Sequence, residues 1–116
     1  MTEDEEKAEI LGLIYAARVR NEITNEDMLR LSSDVNKVFV FDLQLLNNYV
    51  SPHEYSGYTT DNLYSAGLLE QLSTAEKSGL HGMAIGVRKF KLNVMGEKLM
   101  RILRNAGYRV SADQVL

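Results

Sequence analysis

The chain has 116 residues, of which 45% are hydrophobic and 25% are charged, an ordinary composition for one globular domain. The absence of cysteine excludes disulfides and thiol chemistry, and a net charge of −3 argues against indiscriminate binding of polyanions. The acidic start MTEDEEKAEI is unlike a signal or transit peptide, and the longest purely apolar run, Val38–Phe41, is far too short to span a membrane. We therefore expect a soluble, cytoplasmic protein.

Charge is distributed unevenly along the chain. Residues 1–60 hold 5 Lys and Arg against 11 Asp and Glu, a net charge of −6, whereas residues 61–116 hold 8 against 5, a net charge of +3. Such an asymmetry lets one positive face meet a polyanion while the rest of the surface stays well hydrated. Solvated surfaces are also often uneven by chance.

Two amphipathic helices are predicted at the start of the chain. Thr2 and Glu5 have the spacing of a capping box for a helix over Thr2–Arg20, whose apolar residues recur at helical spacing. After a turn at residues 21–24, Thr24 and Asp27 begin a second, short helix. Its inner side is expected to carry Met28, Leu29 and Leu31.

The segment Asn36–Val50, NKVFVFDLQLLNNYV, is apolar along most of its length. Its first half is β-branched and aromatic, which favours a strand, and its leucine-rich second half favours a helix. We interpret it as one helix, apolar nearly all round and therefore buried at the centre. Ser51–Tyr58, which holds the only proline, is predicted to be a loop.

A further helix is predicted over residues 59–78. Thr59, Thr60 and Asp61 are all good N-caps, Lys77 suits a last turn, and Gly79 suits a helix end. The expected inner stripe is Tyr64, Leu68, Leu72 and Ala75. Gly67 inside this helix costs roughly 1 kcal/mol relative to alanine, so a break at Gly67 is the alternative.

A hairpin and a last helix complete the predicted elements. Leu80–Ala84 and Val87–Asn93 alternate as two paired strands would. Asn93 then caps a helix over residues 94–106, which Gly107 ends. One side of that helix carries Met95, Leu99, Ile102 and Ala106. The predicted fold class is α+β, mostly helical, in one domain over residues 1–116.

This order of elements, with the residues Gly79-Leu80, Phe90-Lys91-Leu92-Asn93 and Gly96-Glu97, resembles the winged helix-turn-helix superfamily, including its MarR-like and PadR-like small regulators. In that superfamily a recognition helix ends in a glycine and an apolar residue, and a hairpin wing and a last helix follow. The resemblance assigns the recognition helix to about 59–78, the wing to about 80–93 and the C-terminal helix to about 94–106.

What the resemblance implies is a sequence-specific DNA-binding transcriptional regulator of double-stranded DNA. The recognition helix would enter the major groove, and the basic wing would lie on the DNA backbone. The implied contacts are exposed polar residues at the helix start and cations of the helix end and wing. These DNA-binding residues are Thr59, Thr60, Asn62, Lys77, Arg88, Lys89 and Lys91.

Each implied contact has a purely structural interpretation beside it. The threonines at the helix start suit a cap, and the wing cations suit an edge strand protected from aggregation. Asp61 and Glu70 would repel phosphates, and neutralising phosphates supplies most DNA affinity. The alternative function is therefore a winged-helix protein–protein interaction module without DNA binding. Tyr55, Tyr58 and Tyr64 gather near the helix start, where core packing is the default and contact with phosphates or a small molecule is the alternative.

A homodimer is also expected, because few cations per chain make useful DNA binding depend on two copies. The predicted interface is the apolar side of the last helix, Met95, Leu99, Ile102 and Ala106, and the alternative is that this side closes the core of one chain. No enzyme, cofactor or metal is expected. His53 and His81 lie far apart, and Gly79, Gly82 and Gly86 lack the spacing of a phosphate loop.

Overall fold

A computed structural model describes residues 2–72, 88–108 and 110 of the chain. The described part is α+β and mostly helical, as predicted. Its helices are α1 (Glu3–Val19), α2 (Asn25–Asn36), α3 (Val40–Leu43), a 3-10 turn (Leu46–Tyr49), α4 (Tyr58–Ser65) and α5 (Val94–Asn105). Its strands are β1 (His53–Glu54), β2 (Leu69–Gln71) and β3 (Lys89–Leu92). No helix in these described ranges is long and apolar enough to cross a membrane.

The caps predicted for the first two helices are confirmed. Thr2 Oγ1 accepts a hydrogen bond from the Glu5 amide at 3.0 Å, and the Glu5 carboxylate accepts one from the Thr2 amide at 3.0 Å. Thr24 and Asp27 make the same reciprocal pair at the start of α2. Leu31 is buried as predicted, but Leu29 is 66% exposed, so its assignment to the inner side was wrong.

Asn36–Val50 forms two short helical segments, α3 and the 3-10 turn, instead of one helix. The break between them lets residues from both segments reach the core, namely Val40, Leu43, Leu46 and Tyr49. The expectation of a segment buried on all sides was wrong, because Phe39 and Phe41 lie largely exposed.

The helix predicted over residues 59–78 ends at Ser65. The prediction was therefore wrong for residues 66–72, the later part that the structure describes. Gly67 adopts φ +95°, its amide donates to the Tyr64 carbonyl at 3.0 Å, and the Leu68 amide donates to the Leu63 carbonyl at 3.1 Å. This pair of hydrogen bonds is a Schellman motif, which terminates a helix at a left-handed glycine. The chain then enters β2 directly. Lys77 and the predicted helix end at Gly79 lie outside the described residues.

The sheet is antiparallel, with β3 between β1 and β2. Phe90 pairs with His53 of β1 on one side and with Gln71 of β2 on the other. The partners of β3 are thus a segment predicted to be a loop and a segment predicted to be helical, which corrects the predicted hairpin. Leu80–Ala84, its expected partner, lies outside the described residues. The predicted alternation is confirmed over Lys89–Leu92, where Phe90 and Leu92 are buried.

Asn93 joins the start of α5 to the end of α4. As predicted, its side-chain oxygen caps α5 by accepting a hydrogen bond from the Gly96 amide at 2.8 Å. Its side-chain nitrogen donates to the Gly67 carbonyl at 2.8 Å. Gly107 follows the helix with φ +74°, as expected of a residue that ends it.

One side of α5 closes the core of the chain, and this corrects the predicted dimer interface. Leu99 and Ile102 are buried against the helices and the inner face of the sheet, so they are not free to meet a second copy. Met95 is partly buried against the same core, and Ala106 is exposed. The core includes this helix face because a domain of this length has to bury most of its apolar surface in order to fold.

Candidate nucleic-acid interface

The outer face of α4 is aromatic and polar. Leu63 and Thr60 are fully buried, so the residues on the opposite side of the helix face solvent. Tyr58 is 85% exposed on that outer side, Asp61 and Ser65 are exposed beside it, and Tyr64 is 47% exposed at its edge. The helix therefore presents Tyr64 outward, although its spacing with Leu68 and Leu72 predicted a place on the inner stripe.

One edge of α4 is held to α3 by a buried carboxylate. Asp42 accepts hydrogen bonds from the hydroxyl of Thr59 and the side-chain amide of Asn62, both at 2.9 Å. Asp42 is almost fully buried, and its two donors are half-buried. Thr59 and Asn62 were predicted to be exposed DNA contacts, but the Thr59 hydroxyl and the Asn62 side-chain nitrogen already donate within the chain. Asp42 was missed, although a lone acid within the apolar run VFVFDLQLL was a usable signal.

Thr60 lies on the inner side of α4, so the prediction that it is exposed was wrong. Its hydroxyl lies 2.7 Å from the Tyr49 hydroxyl and 3.0 Å from the Ser56 hydroxyl, and it accepts a hydrogen bond from the Ser56 amide at 3.1 Å. A buried hydroxyl needs such partners to offset its lost hydration. Thr60 thus joins the loop before α4 to the core.

The lysines of β3 lie on the outer face of the sheet, each opposite a glutamate. Lys89 pairs with Glu54 of β1, and Lys91 pairs with Glu70 of β2. Residues directly opposite in an antiparallel pair project to the same face. Lys91 Nζ lies 4.0 Å from Glu70 Oε2, a half-exposed ion pair that contributes little stability but reduces the local positive charge.

Arg88 stacks on an aromatic cluster beside α4. Its guanidinium lies 4.2 Å from the centre of the Tyr55 ring, a cation–π contact. Tyr55 donates a hydrogen bond to Asp61 of α4 at 2.7 Å, and this bond raises the pKa of the Tyr55 phenol. The ring of Phe90 lies 5.4 Å from that of Tyr64 in an edge-to-face arrangement. The start of β3 is therefore fixed against the exposed side of α4.

The geometry groups exposed tyrosines with one cation, Arg88. Tyr55, at 37% exposure, joins the two tyrosines of α4, so the default expectation that all three pack in the core was wrong. Within the described ranges, neither Arg88 nor Lys89 has a carboxylate within 4.0 Å. We call these four residues, Tyr55, Tyr58, Tyr64 and Arg88, the tyrosine surface, whereas Lys89 lies on the opposite face of the sheet from Phe90.

Metal-site geometry is not found in the described part of the chain, where no group of three or more His, Cys, Asp and Glu side chains comes together. Lys77, the remaining predicted DNA contact, lies outside the described residues. Comparison of the chain with protein-family models, with curated proteins and with solved structures finds no match. The similarity to winged helix-turn-helix proteins therefore stays a prediction from sequence motifs.

Proposed function

We propose that the chain is a winged-helix DNA-binding protein that regulates transcription, with α4 as its recognition helix. The observation that carries this proposal is the contact between the exposed side of α4 and the start of β3. Arg88 stacks on Tyr55, and Tyr55 donates a hydrogen bond to Asp61 of α4. The exposed side of α4 and this cation at the start of β3 therefore face solvent together. A recognition helix and a wing base have to be adjacent to contact one stretch of DNA.

The order of elements from α4 to α5 supports the proposal when the end of the recognition helix is assigned to earlier residues than the resemblance gave. Gly67-Leu68 ends α4 and takes the role that the resemblance gave to Gly79-Leu80. The recognition helix is then the shorter Tyr58–Ser65, and β2 and β3 are the wing strands. The central position of β3 in a three-stranded antiparallel sheet is compatible with this arrangement.

The surface would make two kinds of contact with DNA. Arg88 and Lys89 provide cations for the phosphate backbone, which supplies most of the affinity for DNA. The phenol groups of Tyr58 and Tyr64 and the hydroxyl of Ser65 provide hydrogen bonds from α4 to phosphates or bases. Because each chain offers few cations, we further propose that two copies bind together on one site.

Fluorescence anisotropy with labelled duplex DNA tests the proposal through charge reversal. We expect the double variant Arg88→Glu/Lys89→Glu to weaken binding by at least tenfold at about 100 mM salt and to lower the slope of log K against log salt by about one for each lost phosphate contact. The matched control is Lys37→Glu/Arg101→Glu, which reverses two exposed cations on other elements and changes the net charge by the same amount. Equal binding by the double variant and the control would contradict the proposal.

A second function, a protein-interaction module, is favoured by a different observation. Glu54 and Glu70 lie opposite the two lysines of β3, and Asp61 lies on the outer side of α4, so the local charge is close to balanced. Tyrosine and arginine are also the residues that most often dominate protein interfaces. Absence of binding to any DNA in low salt, with the chain folded, would favour this function over DNA binding.

A further inference from the structure

We propose that the tyrosine surface binds DNA with unpaired bases, which stack on the rings of Tyr58 and Tyr64. This inference rests on the DNA-binding function proposed above and names the form of DNA that the same surface prefers. It is carried by the exposure of the aromatic rings, by the near balance of charge around them, and by the contacts that fix Tyr64, Tyr55 and Arg88.

The rings of Tyr58 and Tyr64 are exposed to solvent and free to stack on a ligand. Tyr58 is 85% and Tyr64 47% exposed, although both belong to a helix whose inner side is fully buried. Neither ring is needed to fill the core, which closes beneath them through Leu63 and Phe90. Every nucleic-acid base has a flat face that stacks on an aromatic ring, and this contact is available only when the base is not already stacked in a duplex.

The charge around the rings is close to balanced. Duplex DNA carries two phosphates for each base pair, and its affinity for proteins depends mainly on how many of them are neutralised. Here Arg88 is stacked on Tyr55, and Asp61, which lies between the tyrosines of α4, carries the opposite charge beside it. Few phosphates can be neutralised by such a surface, so stacking has to supply a large part of the binding free energy.

Contacts within the chain hold Tyr55, Arg88 and Tyr64 in place before any ligand binds. Tyr55 is fixed by its hydrogen bond to Asp61, Arg88 is stacked on Tyr55, and Tyr64 contacts the edge of Phe90. Groups that are already held in place lose little conformational entropy when a ligand binds. A protein partner is the competing occupant, but Arg88, which lacks a carboxylate partner within 4.0 Å in the described ranges, favours an anionic one.

The experiment compares three labelled DNA molecules of one sequence by fluorescence anisotropy: a duplex, the same duplex with a central bubble of mismatched bases, and the single strand. We expect the bubble and the single strand to bind at least tenfold more tightly than the duplex. Tyr58→Ala should weaken binding to the bubble by roughly 5- to 100-fold, as expected for the loss of one stacked base. Tyr58→Phe keeps the ring but loses the phenol hydroxyl, so it should weaken binding to the bubble by clearly less than Tyr58→Ala does.

The matched control is Tyr15→Ala, which removes a tyrosine of 62% exposure from α1 and should leave DNA binding unchanged. Tyr58 is so exposed that its truncation leaves the core intact, and urea unfolding of each variant checks this. Equal affinity for bubble and duplex, or an unchanged Kd in Tyr58→Ala, would overturn the inference while the DNA-binding function stood. Binding to none of the three DNA molecules would overturn both.

Discussion

At the scale of single residues, Asp42 is the polar group on which the position of α4 depends most directly. Its carboxylate is buried between α3 and α4, and both of its oxygens accept hydrogen bonds from α4. Hydrogen bonds to a charged acceptor contribute more than neutral ones, and donors left without a partner in a half-buried site cost additional free energy. Asp42 therefore positions the outer face of α4 without belonging to it.

Replacing Asp42 with alanine should lower the free energy of unfolding by about 1–3 kcal/mol, because Thr59 and Asn62 lose their acceptor. Urea unfolding followed by circular dichroism measures the change. The control is Glu9→Ala, which removes an exposed carboxylate of α1 and should change stability by less than about 0.5 kcal/mol. Equal stability of Asp42→Ala and the control would show that α4 does not depend on this contact.

Gly96 shows how closely α5 approaches the end of α4. A Cβ atom at this position would lie 2.2 Å from the carbonyl oxygen of Leu68, a distance that requires the backbone to move. We expect Gly96→Ala to destabilise the chain by about 1–3 kcal/mol through overpacking.

The matched change, Gly12→Ala in α1, meets no atom within 4 Å and should instead stabilise by about 0.5–1 kcal/mol. Thermal unfolding of both variants measures the two effects, and shifts of the same sign would contradict this account of Gly96.

At the scale of elements, the helix starts were predictable because capping depends on local chemistry. Thr2 with Glu5, and Asn93, were identified from sequence and cap α1 and α5 as expected. The end of α4 could also be predicted from local chemistry, because Gly67 was recognised as the alternative break in the predicted helix. The longer helix was favoured because Tyr64, Leu68 and Leu72 recur at helical spacing, although Leu68 and Leu69 are buried as part of a turn and a strand.

The sheet was less predictable than the helices. β1 has only two residues, His53 and Glu54, and nothing in the local sequence distinguishes them from a loop. β1 pairs with Lys89 and Phe90, more than thirty residues away, so its existence depends on tertiary contacts that no local pattern contains. The same reasoning applies to the exposed tyrosines, because which face of α4 is buried follows from the elements that pack against it.

The ion pair between α2 and α5 gives a prediction of pH dependence. Lys98 Nζ lies 2.9 Å from Asp27 Oδ2, and this hydrogen-bonded lysine lowers the pKa of Asp27 below its ordinary value of 3.8. An acid whose pKa is lower in the folded chain stabilises that state above the ordinary pKa, and the contribution is lost as the pH falls through the lower, folded value.

Lys98→Met should therefore reduce the free energy of unfolding by about 0.5–1.5 kcal/mol at pH 7, because the pair is only partly exposed. The difference from wild type should be the same at pH 5 and should shrink as the pH falls below 3.8 and Asp27 becomes protonated. Urea unfolding of both proteins at pH 7, 5 and 3 measures it. A difference that is unchanged at pH 3 would show that Lys98 acts through packing of its aliphatic stem.

At the scale of the whole molecule, the acidic and basic halves of the sequence do not form two separate faces. The lysines of β3 belong to the basic half, yet Glu54 from the acidic half lies directly opposite Lys89. Net charge along a sequence therefore gave a poor guide to charge on the surface, because strand pairing brings distant residues together. Arg88 and Lys89 remain exposed without a carboxylate partner in the described ranges, as do Lys37, Arg101 and Arg104 on other elements.

The central claim is that α4 and the start of β3 form one nucleic-acid-binding surface, and titration of the ¹⁵N-labelled chain with bubble DNA tests it most directly. We predict that the largest amide chemical-shift changes fall in Tyr58–Ser65 and Arg88–Phe90, with α1 nearly unchanged. Changes concentrated in α1 and α2, or no changes at DNA concentrations well above that of the protein, would contradict the claim.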